Sequence, residues 1–277
     1  MRILLSFVTL IVSTLLSVAA ATSSVAGDAS PLRILVLKEH GVGSPTLAQP
    51  YLNRFVATAA QQNEWGDAQG QYYVTRAAAE EFILTQKPHY GIMSLAAFLA
   101  FRIKYNLEVV GKVAVSLVGG QQYYLVSKSQ TTLAGCKGKK LASDHATDAR
   151  FIEKVVARGA FVLKDFQLVP TQRPLQTIKE VLSGNSECAL IDDAQFGELA
   201  KLPGGTELKI AWTSEKLPPM VVSAFPNAPT AERERFQKNF NKVCDAETKP
   251  ACAEVGISSL DLASAADYAA VVEAYGN

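Results

Sequence analysis

A charge excess of either sign is missing from this sequence. Its 277 residues carry 27 Lys and Arg residues against 26 Asp and Glu residues. Without a basic stripe the chain lacks the electrostatic footprint of a nucleic-acid binder, and without a polybasic tail it lacks that of a membrane-surface protein. We therefore expect no nucleic-acid partner.

The motifs of common catalytic and nucleotide sites are missing as well. The sequence contains no GxSxG elbow, no HExxH helix, no Walker A loop and no GxGxxG turn. Histidine occurs only three times, and no closely spaced set of His or Cys ligands occurs. We therefore expect neither an enzyme nor a protein with a bound cofactor or metal.

Long apolar runs are missing except for one, at the start of the chain. Arg2 is followed by a nearly uninterrupted apolar run to Ala20, with small residues that offer cleavage after Ala20 or after Ala26. This layout predicts a secretory signal peptide over residues 1–26, with a membrane anchor as the alternative reading. The box ending at Cys136 resembles a lipoprotein site, but no hydrophobic segment precedes it. We expect a soluble, monomeric periplasmic protein without a lipid anchor.

The rest of the chain alternates short apolar runs with helical patterns. In the first half, strands are expected at 34–37, 72–75 and 90–94, with helices from Pro50 and over 77–87. In the second half, strands are expected at 139–143, 166–170 and 188–192, with helices over 147–158 and 174–183. Two β-α-β-α-β units indicate an α/β protein with two lobes, each a mainly parallel sheet flanked by helices.

The connections between these units predict a hinge. Strand-like segments at 109–118, 121–127, 208–212 and 220–225 are followed by two more helical segments, which need a lobe to pack on. The simplest path has two crossing strands above a cleft. It assigns residues 27–121 and 222–277 to lobe 1 and residues 122–221 to lobe 2.

Several short segments in this order resemble one family. They are Pro50-Tyr51-Leu52, Tyr90-Gly91-Ile92-Met93-Ser94, the 133–142 entry to lobe 2, Cys188-Ala189-Leu190-Ile191-Asp192, Trp212-Thr213-Ser214 with Pro218-Pro219, and Asp267-Tyr268. Over residues 33 to 275 the chain is similar to the phosphonate-, phosphate- and phosphite-type periplasmic substrate-binding proteins of ABC importers. The resemblance implies a type II periplasmic-binding-protein fold that delivers a small polar ligand, with phosphonates and phosphates as candidates, to a permease. A sensing module that reports to a membrane signalling protein is the alternative.

The chain departs from this family at its most specific motif. Relatives place a Ser-Thr-Ser cluster at the start of the first lobe 2 helix, where hydroxyl groups and backbone N–H groups bind an oxyanion. Here the segment contains His145, Thr147, Asp148 and Arg150. Asp148 would oppose an oxyanion if it faced the cleft, or it would serve only as a first-turn acid of the helix.

Ligands of such folds bind at the carboxyl ends of the strands, and this rule selects the candidate site. The expected ligand-binding residues are Glu39, His40, Arg76, Ser94, Tyr123, His145, Thr147, Asp148, Arg150, Asp192, Thr213 and Ser214. Tyr123 lies near the proposed hinge, where packing is an equal alternative. His40 and His145 also suggest a metal, with Glu39, Asp144 and Asp192 nearby, but the absence of a ligand motif favours a site without one.

Four cysteines in an exported chain predict two disulfide bonds. Cys244 and Cys252 lie close in sequence at a helix end and its following turn. Cys136 precedes the first strand of lobe 2 and Cys188 begins the third, and these strands are expected to be neighbours. We therefore predict the pairs Cys136–Cys188 and Cys244–Cys252.

Overall fold

The computed structural model describes residues 31–40, 45–116 and 119–276. The predicted signal peptide lies outside these residues. Among the described residues, no helix combines the length and the apolar character that a bilayer crossing requires.

Eleven strands form two sheets in the described part of the chain. They are β1 Leu32–Leu37, β2 Ala68–Tyr73, β3 Tyr90–Met93, β4 Glu108–Val115, β5 Tyr123–Ser127, β6 Lys140–Ser143, β7 Gln167–Pro170, β8 Cys188–Asp192, β9 Lys209–Thr213, β10 Met220–Ala224 and β11 Ile257–Leu262. Sheet A has the order β11-β4-β10-β3-β1-β2, and sheet B has the order β7-β6-β8-β5-β9.

Helices fill the connections between these strands. They are α1 Pro45–Gln62, α2 Arg76–Gln86, α3 Leu95–Phe101, α4 Leu133–Cys136, α5 Ala149–Phe151, α6 Pro174–Leu182, α7 Asp193–Glu198, α8 Thr230–Asn239, α9 Lys249–Glu254 and α10 Ala269–Tyr275. A π-helical turn, Ile152–Val156, continues α5. Short 3-10 turns lie at Leu163–Asp165, Leu199–Lys201, Gly205–Glu207, Phe240–Lys242 and Ala265–Tyr268.

The predicted two-sheet α/β fold is confirmed: four of the six strands in sheet A and four of the five strands in sheet B run in one direction. The pairs β1·β2, β1·β3, β6·β7 and β6·β8 are parallel. Strands β10 and β11 run antiparallel to their neighbours in sheet A, and β5 pairs antiparallel with both β8 and β9 in sheet B. The antiparallel strands are β5 and β10, which lie next to the crossings between the sheets, and β11, which comes late in the chain. The β-α-β pattern does not specify the direction of any of the three.

Three helical segments differ from what their sequence patterns predict. Pro50 lies inside α1 and does not begin it. The segment expected to be one helix over 147–158 is the short α5 with its π turn, although the expected apolar side chains, such as Phe151 and Val155, are buried. In α6 the inward positions belong to Ile178 and Val181, and Leu175 is exposed.

Both predicted disulfide bonds are present. Cys136 pairs with Cys188 and Cys244 pairs with Cys252. The first pair forms because β6 and β8 are direct parallel neighbours, with Leu141 opposite Cys188. Helix α4, which ends at Cys136, lies just before β6 and so places its sulfur beside the start of β8.

Candidate functional site

The carboxyl ends of the parallel strands in the two sheets face each other. From sheet A, Glu39 and His40 follow β1, Arg76 begins α2 after β2, and Ser94 follows β3. From sheet B, Asp144, His145 and Asp148 follow β6, and Asp192 ends β8. Hydrogen bonds and ion pairs between these loops join the two sheets at one place, and we call this place the cleft.

Arg76 forms an ion pair across the cleft. Its Nε lies 2.8 Å from Glu39 Oε1, and its Nη2 donates to Asp148 Oδ2 at 2.5 Å. Burial lowers the pKa of Arg76, but the charges of Glu39 and Asp148 outweigh this effect and raise it. The guanidinium therefore stays charged and is already engaged by two carboxylates.

Asp148 combines the two roles that the sequence left open. Its Oδ1 accepts a hydrogen bond from Phe151 N at 3.0 Å and so caps α5, while its Oδ2 faces Arg76. Ser94 supports the same group, because its Oγ donates to Glu39 Oε2 at 3.3 Å.

A second group across the cleft contains two imidazoles and a carboxylate. His40 Nδ1 lies 3.2 Å from Asp144 Oδ2, and the rings of His40 and His145 are 4.2 Å apart between centroids. Asp144 and His145 are each only 4% exposed. Burial lowers the pKa of His40, but the close contact with Asp144 and the negative charges of Asp144, Glu39 and Asp192 raise it above its usual value. Burial opposes ionisation of Asp144, yet His145, His40 and Thr177 hold its pKa well below the usual range.

Tyr123 packs beneath this group. Its side chain is buried and its ring meets the His145 ring edge-on at 5.2 Å. Burial and the nearby carboxylates, Asp192 first among them, raise the pKa of Tyr123 well above its usual value. Ser214 lies behind it, because its Oγ accepts from Tyr123 N at 2.9 Å. These contacts favour the interpretation that Tyr123 packs near the hinge over the interpretation that it binds the ligand.

Three of the expected residues do not join these two groups. Thr147 and Thr213 are exposed and make none of the hydrogen bonds described above. Arg150 instead donates from Nε to the backbone oxygen of Tyr275 at 2.9 Å and lies over the Tyr275 ring. Asp192 joins indirectly, since its side chain caps α7 by accepting from Gln195 N.

Sequence reasoning missed three residues of the site: Gln195, Thr177 and Lys38. Gln195 Oε1 lies 3.0 Å from His145 Nε2, and Gln195 Nε2 donates to Asp144 Oδ1 at 3.0 Å. Thr177 also donates to Asp144 Oδ1, at 2.9 Å. The Asp-x-x-Gln spacing of a capping box was the available signal for Gln195, whereas Thr177 and Lys38 carried no motif.

Negative charge predominates in the described loops of the cleft. Burial lowers the pKa of Lys38, although Asp192 and Asp193 act in the opposite direction. Burial and then Asp192 raise the pKa of Asp193. The Lys and Arg side chains closest to this site are Lys38, Arg76 and Arg150, and the carboxylates are Glu39, Asp144, Asp148, Asp192 and Asp193.

Solved structures share this fold at low sequence identity. The binding protein component of an ABC phosphonate transporter from Pseudomonas aeruginosa is 14% identical, with a TM-score of 0.62 over 86% of this chain and 83% of its own. PhnD1 from Prochlorococcus marinus, in complex with methylphosphonate, is 11% identical, with a TM-score of 0.65 over 88% and 96%. XAC2383 from Xanthomonas citri, bound to ATP, is 10% identical, with a TM-score of 0.69 over 89% and 96%. No curated protein matches the chain in sequence.

A family model gives the assignment that these distant structures cannot give alone. The model described as ABC transporter, phosphonate, periplasmic substrate-binding protein matches residues 67–268. That match includes most of both sheets and most of the loops that form the cleft. It covers most of the 277 residues and places the protein outside the cytoplasm as a substrate-binding protein. The chain therefore belongs to the phosphonate-type periplasmic substrate-binding proteins of ABC transporters.

Proposed function

We propose that this chain captures a positively charged small solute in the cleft between sheets A and B and delivers it to an ABC permease. The observation that carries the proposal is the set of ion pairs joining the two sheets, Arg76–Asp148 and His40–Asp144. A solute that contacts both sides of such a cleft favours the closed conformation, which is the form a membrane partner can recognise.

The charge of the cleft argues against a simple phosphonate as the solute. The cation best placed for an oxyanion, Arg76, is already paired with Glu39 and Asp148. An entering oxyanion would have to displace these carboxylates from Arg76 and would then lie close to their negative charges. A cationic solute instead meets carboxylates that exceed the cations in number.

The remaining parts of the proposal concern export and assembly. Residues 1–26 would direct the chain across the cytoplasmic membrane and be removed, which leaves a carrier without a lipid anchor. The carrier works as a monomer, with residues 27–121 and 222–277 as one lobe and residues 122–221 as the other. Neither a nucleic acid nor a cofactor takes part.

Native mass spectrometry of the protein purified from its own host tests this proposal. We expect a bound small solute of positive charge that is released on unfolding, and we expect Asp148→Asn to reduce its occupancy, because the change removes a carboxylate and leaves more of the Arg76 charge unpaired. Glu254→Gln is the matched control, because Glu254 pairs with Arg54 on an exposed surface. Recovery of an organic phosphonate, or equal occupancy in Asp148→Asn, would contradict the proposal.

A further inference from the structure

We propose that the solute captured in the cleft is a divalent first-row transition-metal ion, bound by His40, Asp144 and His145. This inference rests on the proposed function, because it takes the cleft to be the site of capture. Each of the three side chains offers one ligand atom, and these atoms lie within 4.8 Å of one another.

The distances are close to those of a coordinated ion. Tetrahedral bonds of about 2.0–2.2 Å separate two ligand atoms by about 3.3 Å. His40 Nδ1 and Asp144 Oδ2 are 3.2 Å apart. The ligand atoms lie within 4.8 Å of one another, so an inward shift of up to about 1.5 Å by one imidazole would bring them to tetrahedral separations.

One buried carboxylate oxygen points to the ion independently. Oδ1 of Asp144 accepts hydrogen bonds from Thr177 Oγ1 and Gln195 Nε2. Oδ2 is buried and makes no hydrogen bond of acceptable geometry among the described residues, although His40 Nδ1 lies nearby. Burial of a carboxylate oxygen without a hydrogen bond costs free energy, and a bound cation would offset that cost.

The surrounding hydrogen bonds orient the ligands as in known metal sites. Gln195 Oε1 accepts from Asp192 N, and Gln195 Nε2 donates to Pro174 O, so the orientation of the amide is fixed. His145 Nε2 must then donate its proton to Gln195 Oε1, which leaves Nδ1 as the ring atom that faces away from this hydrogen bond. Metal-bound imidazoles generally donate their other N–H to an oxygen in this way.

The donor set selects the class of ion. Two imidazole nitrogens and one carboxylate suit Zn²⁺, Ni²⁺, Cu²⁺ and their neighbours, whereas Mg²⁺ and Ca²⁺ prefer oxygen ligands alone. His40 comes from the sheet A side, and Asp144 and His145 come from the sheet B side. The ion therefore ties the two sides of the cleft together. His40 also holds a left-handed backbone (φ 57°), a conformation that a non-glycine residue adopts at a cost.

Calorimetry on the full chain in its exported form, after chelator treatment, tests the inference. Zn²⁺, Ni²⁺ and Co²⁺ are titrated separately, with Mg²⁺ and Ca²⁺ for comparison. We expect one transition-metal ion per chain, with His40→Gln and His145→Gln each weakening binding by more than about 100-fold, since loss of outer partners alone costs 10–100-fold. His89→Asn is the matched control and is expected to bind as the wild type does, because His89 contacts Arg33 at the opposite end of β1.

Thermal unfolding without metal verifies that each variant folds, and His40→Gln is the safest of them because the His40 side chain is 30% exposed. Absence of stoichiometric transition-metal binding, equal binding of Mg²⁺, or unchanged affinity in a folded His40→Gln would overturn the inference. If an organic cation is then found in protein purified from the host, only the metal assignment fails. If neither a metal nor any other solute binds, the proposed function fails with it.

Discussion

Asp148 makes two contacts, one within its own helix and one across the cleft. One of its oxygens caps α5 and the other pairs with Arg76 across the cleft. The carboxylate therefore removes the charge that an anion would use.

Replacement of Asp148 by Ser is expected to create affinity for small oxyanions. The change restores a capping hydroxyl and leaves Arg76 with a single carboxylate partner, so methylphosphonate, phosphate and phosphite should bind roughly ten- to a hundredfold more tightly. Calorimetry of wild type and variant measures this gain. Asp267→Ser, which removes an exposed acid near the C-terminus, is the control. Tight binding of methylphosphonate by the wild type would show that Arg76 exchanges its partners freely.

His89 is expected to make stability depend on pH. Burial and then Arg33 lower the pKa of His89, and its Nδ1 accepts a hydrogen bond from Arg33 N. Because the folded pKa is below the unfolded value, the unfolded chain binds the proton more tightly. The contribution is present above the ordinary value of about 6.5 and is lost as the pH falls through the folded pKa.

Urea unfolding of wild type and His89→Asn at about pH 7.5 and about pH 5.5, on either side of the ordinary histidine pKa, measures this effect. Asparagine keeps an acceptor for Arg33 N but does not titrate in this range. We expect the wild type to lose more stability than the variant on acidification. Equal losses would show that His89 has the same proton affinity in the folded and unfolded chain.

At the scale of elements, the disulfide bonds join parts of the chain that differ greatly in separation. Cys136 and Cys188 are 52 residues apart, and Cys244 and Cys252 are 8 apart. Because closing a longer loop removes more entropy from the unfolded chain, the first bond is expected to stabilise by about 4 kcal/mol and the second by about 2.6 kcal/mol.

Urea unfolding of the double variants Cys136→Ala/Cys188→Ala and Cys244→Ala/Cys252→Ala tests this order. Either variant serves as the control for the other, since each retains one bond. A larger loss from the second pair would show that local packing around Cys252 outweighs loop entropy.

The sequence predicted elements best where a pattern was long and buried on one face. Strand β8, fully buried from Cys188 to Asp192, was predicted at its observed bounds. Strand β11 was missed because its serines and Asp261 weaken the strand pattern, and only pairing with β4 makes it a strand. The loops that form the cleft were identified from the positions at which the predicted strands end. The partners of Arg76 and the role of Gln195 depend on contacts between distant segments, which no local pattern contains.

At the scale of the whole molecule, the ion pairs between the two sides of the cleft predict that breaking them makes the cleft open more readily. Arg76→Gln would leave Glu39 and Asp148 without their common cation, and we expect a shift of roughly 1.5–3 kcal/mol towards open conformations. Small-angle scattering of the unliganded variant should give a larger radius of gyration than the wild type. A bound solute should lower the radius in both proteins. Arg54→Gln is the control, and identical profiles with and without bound solute would contradict the hinge.

The two sheets also differ in how much of the chain must be present before they can form. All strands of sheet B lie between Tyr123 and Thr213, an uninterrupted stretch. Sheet A needs β10, which lies between β4 and β3, and β11, which comes near the end of the chain. Without β10, sheet A is two separate fragments. As the polypeptide emerges N-terminus first, sheet B can complete its pairing early, whereas β1 to β4 must wait with an unpaired edge for β10. The stretch most exposed to misassembly during biogenesis is therefore the one from β1 to β4, which emerges before sheet B.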